Sequence, residues 1–341
     1  MKNKHRQHVN GLIALVAAAV LIIAGLIVWD RLERQQDEEN EAKANAAHSV
    51  EMNADFYRDG VGYRLRRDVD TILLIGHDKN PEEGIANFRD GGQADFLLLL
   101  VVDNQNETVS MLQIDRDTMT RVHTVGDTGR DAGGKEMQIC LAHAYGSNLV
   151  KNDMNTVRAV SEFLGGERGI RIDHSVSMYM DGISRINHLL GGVEVTIPED
   201  MTNLDTDFVA GATITLTDEQ AFDFCHARKS VGDGKNYSRM QRQKIFMESA
   251  AKTVQKRVRA SGTFANTLVD SMMELTNMMD TSGREANKGW FINQLKKAAT
   301  YNVRQPDILD GVRTTNPLTE YVECRVDPAD VLDWVIGHLC Y

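Results

Sequence analysis

Residues 96–102 read Phe-Leu-Leu-Leu-Leu-Val-Val. An uninterrupted apolar run of that length is the pattern of a strand covered on both faces. Thr71–Ile75 (TILLI) has the same character, and Thr108–Ile114 (TVSMLQI) alternates more but also reads as a strand. Further along, the period changes. Asp153 to Leu164 reads as a helix stopped by Gly165-Gly166, and Asp181 to Leu190 as another stopped by Gly191-Gly192. Val193–Ile197 follows as a strand ended by Pro198. Thr217 and Gln220 form a capping-box pattern opening a helix to about Ala227. Tyr237 to Val258 is a long amphipathic helix, and Phe264–Met279 and Glu285–Tyr301 are two more. A strand near Tyr321–Val326 and a helix from Pro328 to His338 complete the pattern. Strands mixed with helices in this way predict an α/β fold: a three-layer α/β/α sandwich around a central mixed sheet.

Composition agrees. The chain has 341 residues, 42% hydrophobic and 26% charged, so it buries a sizeable core and is not a disordered chain. The net charge of −11 excludes a nucleic-acid binder working through bulk basic charge. The four cysteines (Cys140, Cys225, Cys324, Cys340) form no C-x-x-C pair, which excludes a zinc ribbon or thioredoxin-type motif. Cys324–Cys340 and Cys140–Cys225 are candidate disulfides, and the pairing stays open.

At the N-terminus, Gly11 to Trp29 carry no charge. As a helix that run is about 28 Å long, the thickness of a bilayer's hydrocarbon core. Lys2, Lys4 and Arg6 precede it and mixed charges follow, so the positive-inside rule puts residues 1–10 in the cytoplasm and the rest outside. A cleaved signal peptide is the rival, although its apolar region is usually shorter. The expected organisation is therefore a cytoplasmic tail (1–10), a single transmembrane helix (11–29), a charged stalk (30–68) and an extracytoplasmic domain (69–341). Arg64, Arg66 and Arg67 close the stalk and read as a solvated surface.

Several familiar motifs fail. Gly129–Lys135 (GRDAGGK) fits most of a P-loop, but Glu136 stands where a Ser or Thr is required, so a flexible Gly-rich loop is the better reading. Asp205-x-Asp207 lacks the glycine and distal glutamate of an EF-hand. Neither G-x-S-x-G nor H-E-x-x-H occurs.

What remains is a set of carboxylates at strand ends and a set of basic residues. Asp78 follows TILLI, Asp95 precedes FLLLLVV, and Asp115-Arg116-Asp117-Thr118 follows the third strand. Ligands collect at such strand ends in α/β sheets. Hard carboxylate oxygens beside guanidinium forks suit a Mg²⁺–phosphate site, although any one of these Asp taken alone is equally a turn residue. Arg228 and Lys229 end one helix, while Arg239, Arg242 and Gln243 share a face near the start of the next, where the helix dipole also favours an anion.

In this order, these segments resemble the LytR-CpsA-Psr family of membrane-anchored cell-envelope proteins. Gly76-His77-Asp78-Lys79 is similar to the family's Gly-Ser-Asp-Ser-Arg, Gln93-Ala94-Asp95-Phe96 to its Arg-Ser-Asp-Thr, and Asp115-Arg116-Asp117-Thr118 to its Pro-Arg-Asp-Thr. Ala142-His143-Ala144-Tyr145-Gly146 resembles its Asn-His-Ala-Tyr segment and Leu190-Gly191-Gly192-Val193 its Leu-Gly-Gly-Val. His226-x-Arg228 and Arg239-x-x-Arg242-Gln243 resemble its Arg-x-Arg and Arg-x-x-Arg-Gln. The resemblance implies an extracytoplasmic phosphotransferase that moves a glycopolymer, of teichoic acid or capsule type, from a polyprenyl-pyrophosphate carrier in the bilayer to peptidoglycan, with Mg²⁺. By the same resemblance, Asp95, Arg116 and Asp117 are catalytic. Asp78 and Asp95 hold the metal, and Arg116, Arg228, Arg239, Arg242, Gln243 and Lys79 grip the pyrophosphate. Nucleic acid is not an expected partner.

The chain also departs from the pattern. Gln93 and His226 stand where Arg is usual, and Cys140 near where Lys is common. Asn236 stands for an Asp, Ala142 for an Asn, and Asp115 for a Pro. The lost cations leave open a second function, a polyprenyl-phosphate-binding or sensing protein without turnover, and a third, pyrophosphate hydrolysis without an acceptor. A protonated His226 would recover part of the charge.

Overall fold

Alternate residues along the three apolar strands face opposite ways, and this period of two divides the core into two layers. The structure, a computed structural model, describes residues 54–78, 91–126, 129–229, 231–232 and 234–341. The proposed membrane span, the stalk up to residue 53 and Lys79 lie outside them. Among the described residues no helix is long and apolar enough to cross a membrane.

In chain order, β1 (Phe56–Arg58) and β2 (Val61–Tyr63) form a small hairpin, followed by β3 (Val69–His77), β4 (Ala94–Asp103) and β5 (Thr108–Ile114). A second hairpin, β6 (Met119–Val125) and β7 (Asp131–Gln138), leads to α1 (Leu149–Gly165), β8 (His174–Tyr179) and α2 (Ile183–Leu190). Then come β9 (Glu194–Thr196), β10 (Thr213–Thr215), α3 (Asp218–His226), α4 (Asn236–Ala260), α5 (Phe264–Leu275) and β11 (Asn277–Asp280). The chain ends with α6 (Lys288–Ala298), β12 (Asn302–Val303), β13 (Asp307–Ile308), β14 (Gly311–Thr315), β15 (Val322–Val326) and α7 (Pro328–Leu339).

The central sheet has seven strands in the order β11-β8-β3-β4-β5-β12, with β13 also on β5. It is mixed, as expected: β4 runs antiparallel to both β3 and β5, while β8 is parallel to β3. Ile72, Leu74, Leu98, Leu100 and Met111 pack on one face against α4, α5 and α6. Leu73, Ile75, Leu97, Leu99 and Leu112 pack on the other against α1 and α7. Register places the site. His77 is opposite Ala94, and Leu97 is opposite Ile114, so the end of β3, the start of β4 and the end of β5 meet at one end of the sheet.

Several expectations change. The capping box at Thr217 and Gln220 is present. The first long helix begins earlier, at Leu149, because the Asn148 side chain accepts the Lys151 amide at 3.0 Å. The helix expected to run to Met279 stops at Leu275, since Met278 and Met279 gain strand pairing with Val176 and Ser175. Most of the Gly-rich stretch, from Asp131, is strand β7, whose backbone groups are taken up by β6 rather than left in a loop. All four cysteines are free thiols, which corrects both candidate disulfides. Arg66 is not on a solvated surface: only 10% of its side chain is exposed, and it lies between Asp68 and Asp103. Around it the C-terminus closes on the same segment, with Tyr341 Oη donating to Asp68 at 2.7 Å and the Arg66 amide to Leu339 at 2.7 Å.

Candidate functional site

Three distant segments meet at this end of the sheet. Asp95 is the second residue of β4, Arg116 follows β5, and Arg239 is in the first turn of α4. Arg116 Nη1 pairs with Asp95 Oδ1, and Arg239 Nη1 lies 3.3 Å from Asp95 Oδ2. Two guanidinium groups therefore share one carboxylate. Arg116 also donates to the Gln93 side chain and lies 3.4 Å from the Cys140 sulfur. Cys140 is buried, and that burial pushes its thiol up to about 11, so it stays neutral beside the arginine.

Behind this trio is a second tier. Asp115 Oδ1 accepts from Asn236 Nδ2 at 2.7 Å, and Asp115 Oδ2 accepts from Arg313 Nε and Nη2 at 3.0 and 2.8 Å. Asn236 Oδ1 in turn accepts from Arg239 Nε and Nη2 at 3.0 and 2.7 Å. Asp117 is buried, with Oδ1 at 3.4 Å from Arg116 Nε and accepting from Gln138 at 3.1 Å. Burial, then the Asp115 charge, raises the Asp117 pKa against the pull of Arg116, Arg228 and Arg239. Burial, then the positive charges of Arg116 and Arg228, lowers Arg239 to about 9. Both shifts mark a site whose charges are not fully compensated.

The remaining expected residues divide. Arg228 belongs to the cluster: its charge acts on both Asp117 and Arg239, and its buried Nε has no hydrogen-bond partner among the described residues. Asp78 is exposed at the end of β3, where its Oδ1 accepts the Gln93 amide at 2.5 Å. Gln243 is buried and engaged by Gln113 at 2.8 Å and by the Cys225 carbonyl at 3.2 Å. Arg242 is a correction. Its fully buried guanidinium donates to the Phe224 carbonyl at 2.9 Å, to the Ala227 carbonyl and to Glu199 at 2.8 Å. It ties the end of α3 to α4 and is not turned to Asp95. Helical spacing puts Arg239 and Arg242 near each other, but the α3 carbonyls capture the second. His226 is exposed and stacks on Phe222; desolvation, then the Arg239 charge, lowers its pKa, which works against the charge it was expected to recover.

The turn at Gly91 that leads into Asp95 has its own support, which strand-end reasoning missed. His143 contacts the Gly91 carbonyl at 2.8 Å and Asp153 at 3.1 Å; Asp153 also accepts from Ser177 and Asn277, each at 2.5 Å. All of His143 and Asp153 is buried. Gly91 is required there, because a Cβ would fall 2.2 Å from Asn152 and 2.3 Å from the His143 carbonyl. A cavity of about 630 Å³ lined by His123, Tyr145, Lys151 and Arg158 lies elsewhere and includes none of Asp95, Arg116 and Arg239.

A mixed-sheet sandwich with two arginines convergent on one carboxylate at the strand ends defines an α/β protein of the class whose ligands collect at such ends. The chain matches the model of the LytR_cpsA_psr family over residues 27–314 and belongs to that family. It is 28% identical over 251 residues to the polyisoprenyl-teichoic acid--peptidoglycan teichoic acid transferase TagU of Halalkalibacterium halodurans, covering 73% of each chain. It is 29% identical over 185 residues to TagV of Bacillus subtilis, covering 52% of this chain and 42% of that protein. Among solved structures, TagT bound to LIIa-WTA superposes with a TM-score of 0.58 at 20% identity, covering 80% of this chain and 91% of that one. B. subtilis TagV gives 0.55 at 19%, covering 81% and 98%. These likenesses show the mixed α/β fold.

Proposed function

We propose that this protein is an extracytoplasmic phosphotransferase that moves a glycopolymer from a polyprenyl-pyrophosphate carrier onto a peptidoglycan hydroxyl. The observation that carries the reading is the convergence of Arg116 and Arg239 on the Asp95 carboxylate. Two arginines on one acid hold donors in reserve for further anionic oxygens, and a diphosphate supplies them. The transferase names of the relatives support the same reading. In the reaction, the acceptor oxygen attacks the glycan-bearing phosphorus and the bond to the bridging oxygen breaks. Polyprenyl phosphate leaves, and the acceptor's proton ends on it. Arg116, Arg228 and Arg239 hold the diphosphate and meet the charge that shifts to the leaving group. Asp117 orients Arg116.

Asp78 and Asp95 offer the carboxylate oxygens that Mg²⁺ prefers at the ends of the paired strands β3 and β4, where Gln93 bonds both Asp78 and Arg116, and substrate phosphate and water would complete the ion's shell. Among the described residues no group of three or more metal-binding side chains is assembled. Bound there, Mg²⁺ would neutralise diphosphate charge. Gly11–Trp29 would anchor the chain with its N-terminus in the cytoplasm and the site outside.

The test uses the full-length protein in detergent with Mg²⁺, a polyprenyl-pyrophosphate-linked glycan and peptidoglycan fragments. The expected product is glycan covalently joined to peptidoglycan, lost in Arg116→Ala and Asp95→Ala. Transfer at the wild-type rate in both variants refutes the site. A second reading, lipid capture without turnover, draws on Gln93 and the neutral His226 at positions where the family resemblance expects arginine. It predicts retained lipid and no product.

A further inference from the structure

We propose that Asp115, braced by Arg313 from the β14–β15 hairpin, is a positioning residue that sets the aim of Arg239 through Asn236. Its consequence for diphosphate binding rests on the function proposed above; its geometry does not.

The inference comes from the hydrogen-bond inventory of an amide. Asn236 has one end that only accepts and one end that only donates. An ionised carboxylate only accepts. Asp115 at 2.7 Å therefore takes the Asn236 NH₂ and forces its Oδ1 toward Arg239, where it accepts twice. Without the acid, Asn236 is free to flip and present hydrogens to a guanidinium that has nothing to accept them. Arg239 then loses two of the contacts that hold its Nη1 toward Asp95.

Asp115 itself is nearly inaccessible, with 1% of its side chain exposed, and a charge so buried needs a fixed partner. Arg313 supplies it, 198 positions away in the chain, while stacking over the Tyr237 ring at 4.9 Å. The hairpin is fastened to the site by two further bonds. The Cys324 amide donates to the Asp117 carbonyl at 2.8 Å, and Gln138 bridges Asp117 Oδ1 and the Val322 carbonyl at 3.1 and 2.7 Å. β15 lies beyond the family-matched residues 27–314, so this brace includes a part of the chain that the family model does not cover.

The experiment is phenylglyoxal labelling of the full-length protein, with the rate at each arginine read by peptide mass spectrometry. Wild-type Arg239 is buried and is expected to react slowly. Asp115→Asn is expected to raise its rate about tenfold, the scale set by losing charge-assisted bonds. The double variant Asp115→Asn/Asn236→Asp is expected to return it to within about threefold of wild type, because the acid then faces Arg239 directly. Arg325→Ala, on the same hairpin but paired at the surface with Glu136, should change nothing at Arg239. Arg66 in the same digest reports on the fold as a whole. An unchanged rate at Arg239 in Asp115→Asn, failure of the double variant to restore it, or a parallel rise at Arg66 overturns the proposal. Geranyl diphosphate binding by calorimetry is the second arm. Loss in Asp115→Asn with recovery in the double variant supports both ideas. Absence of binding in every variant, with the labelling pattern intact, refutes the diphosphate reading and leaves the brace standing.

Discussion

Two buried arginine–carboxylate clusters in this molecule are built in opposite proportions. In the first, Arg66 lies between two acids, with Nη2 at 2.6 Å from Asp68 and Nη1 at 2.5 Å from Asp103. Burial opposes the charges, but the Arg66 bonds outweigh it, so both acids titrate below the ordinary range and Arg66 is held above its own. In the second, two arginines share Asp95, Arg239 is driven down, and Asp117 is driven up. The first cluster is compensated and closes the chain ends together. In the second, burial outweighs pairing on both sides: it is the largest cause of the shift at Arg239 and at Asp117, the pattern that perturbed functional sites share with structural ion-pair networks.

Substitution should separate the two. Arg116→Ala removes a guanidinium from the proposed phosphoryl site and is expected to cut transfer about 10³-fold. Its unfolding midpoint in denaturant should fall less than that of Arg66→Ala, because Arg239 still pairs with Asp95. Loss of stability comparable to the loss of activity would make the second cluster structural like the first. Arg66→Ala should show the reverse. It strands two mostly buried carboxylates, so a loss of about 3–5 kcal/mol is expected by denaturant unfolding, with diphosphate affinity of the remaining folded protein unchanged.

Acid gives the same contrast with a definite sign. Asp68 and Asp103 have lowered folded pKa values, so the stability they contribute is fully present above the unfolded carboxylate value of about 4. It is lost as pH falls through their folded values. Denaturant midpoints measured from neutral pH downward should therefore fall more steeply in wild type than in Arg66→Ala.

The two clusters also differ in how visible they are in the sequence. Asp95, Arg116 and Arg239 stand beside strand ends or at a helix start, and the apolar runs of β3, β4 and β5 place those ends together once the sheet is antiparallel. Periodicity carries that much. Arg66 lies in a charged stretch that reads as stalk, because nothing local announces that residues 339–341 return to cover it. Arg313 is hidden for the same reason: its partner is Asp115, and no spacing rule reaches that far. Arg242 misleads in the opposite direction, since helical offset alone cannot say that the α3 carbonyls will claim it. β11 and the β6–β7 hairpin are misread because strand pairing overrides a helix-like or Gly-rich local pattern.

Asp117→Asn tests whether the second cluster is uncompensated at the acid as well. A folded pKa raised above the unfolded one gives stability that is present below the unfolded value and lost as pH rises through the folded one. At neutral pH the Asp117 charge is therefore a burden. The variant should be more stable than wild type at pH 7 and equal to it below about pH 4, while Arg116 loses an orienting partner and transfer falls. A variant less stable at pH 7 would place Asp117 with Asp68 and Asp103.

The smallest effect expected is at His226. Its ring stacks on Phe222 with centroids 4.7 Å apart, and desolvation and the Arg239 charge both favour the neutral form. His226→Arg adds a permanent cation at a position close enough to Arg239 for the two charges to be felt. If the second cluster is reserved for an anion, the variant should bind geranyl diphosphate more tightly, by roughly threefold, because a partly exposed cation contributes well under 1.4 kcal/mol. The gain should shrink as salt is raised, since it depends on a screened charge. The free protein should become slightly less stable, since another positive charge faces Arg239 with no new carboxylate, and saturating ligand should erase that loss. Tighter binding with no cost to the free protein would mean that the cluster already holds enough negative charge, and that its resemblance to the Arg66 clamp is closer than its geometry implies.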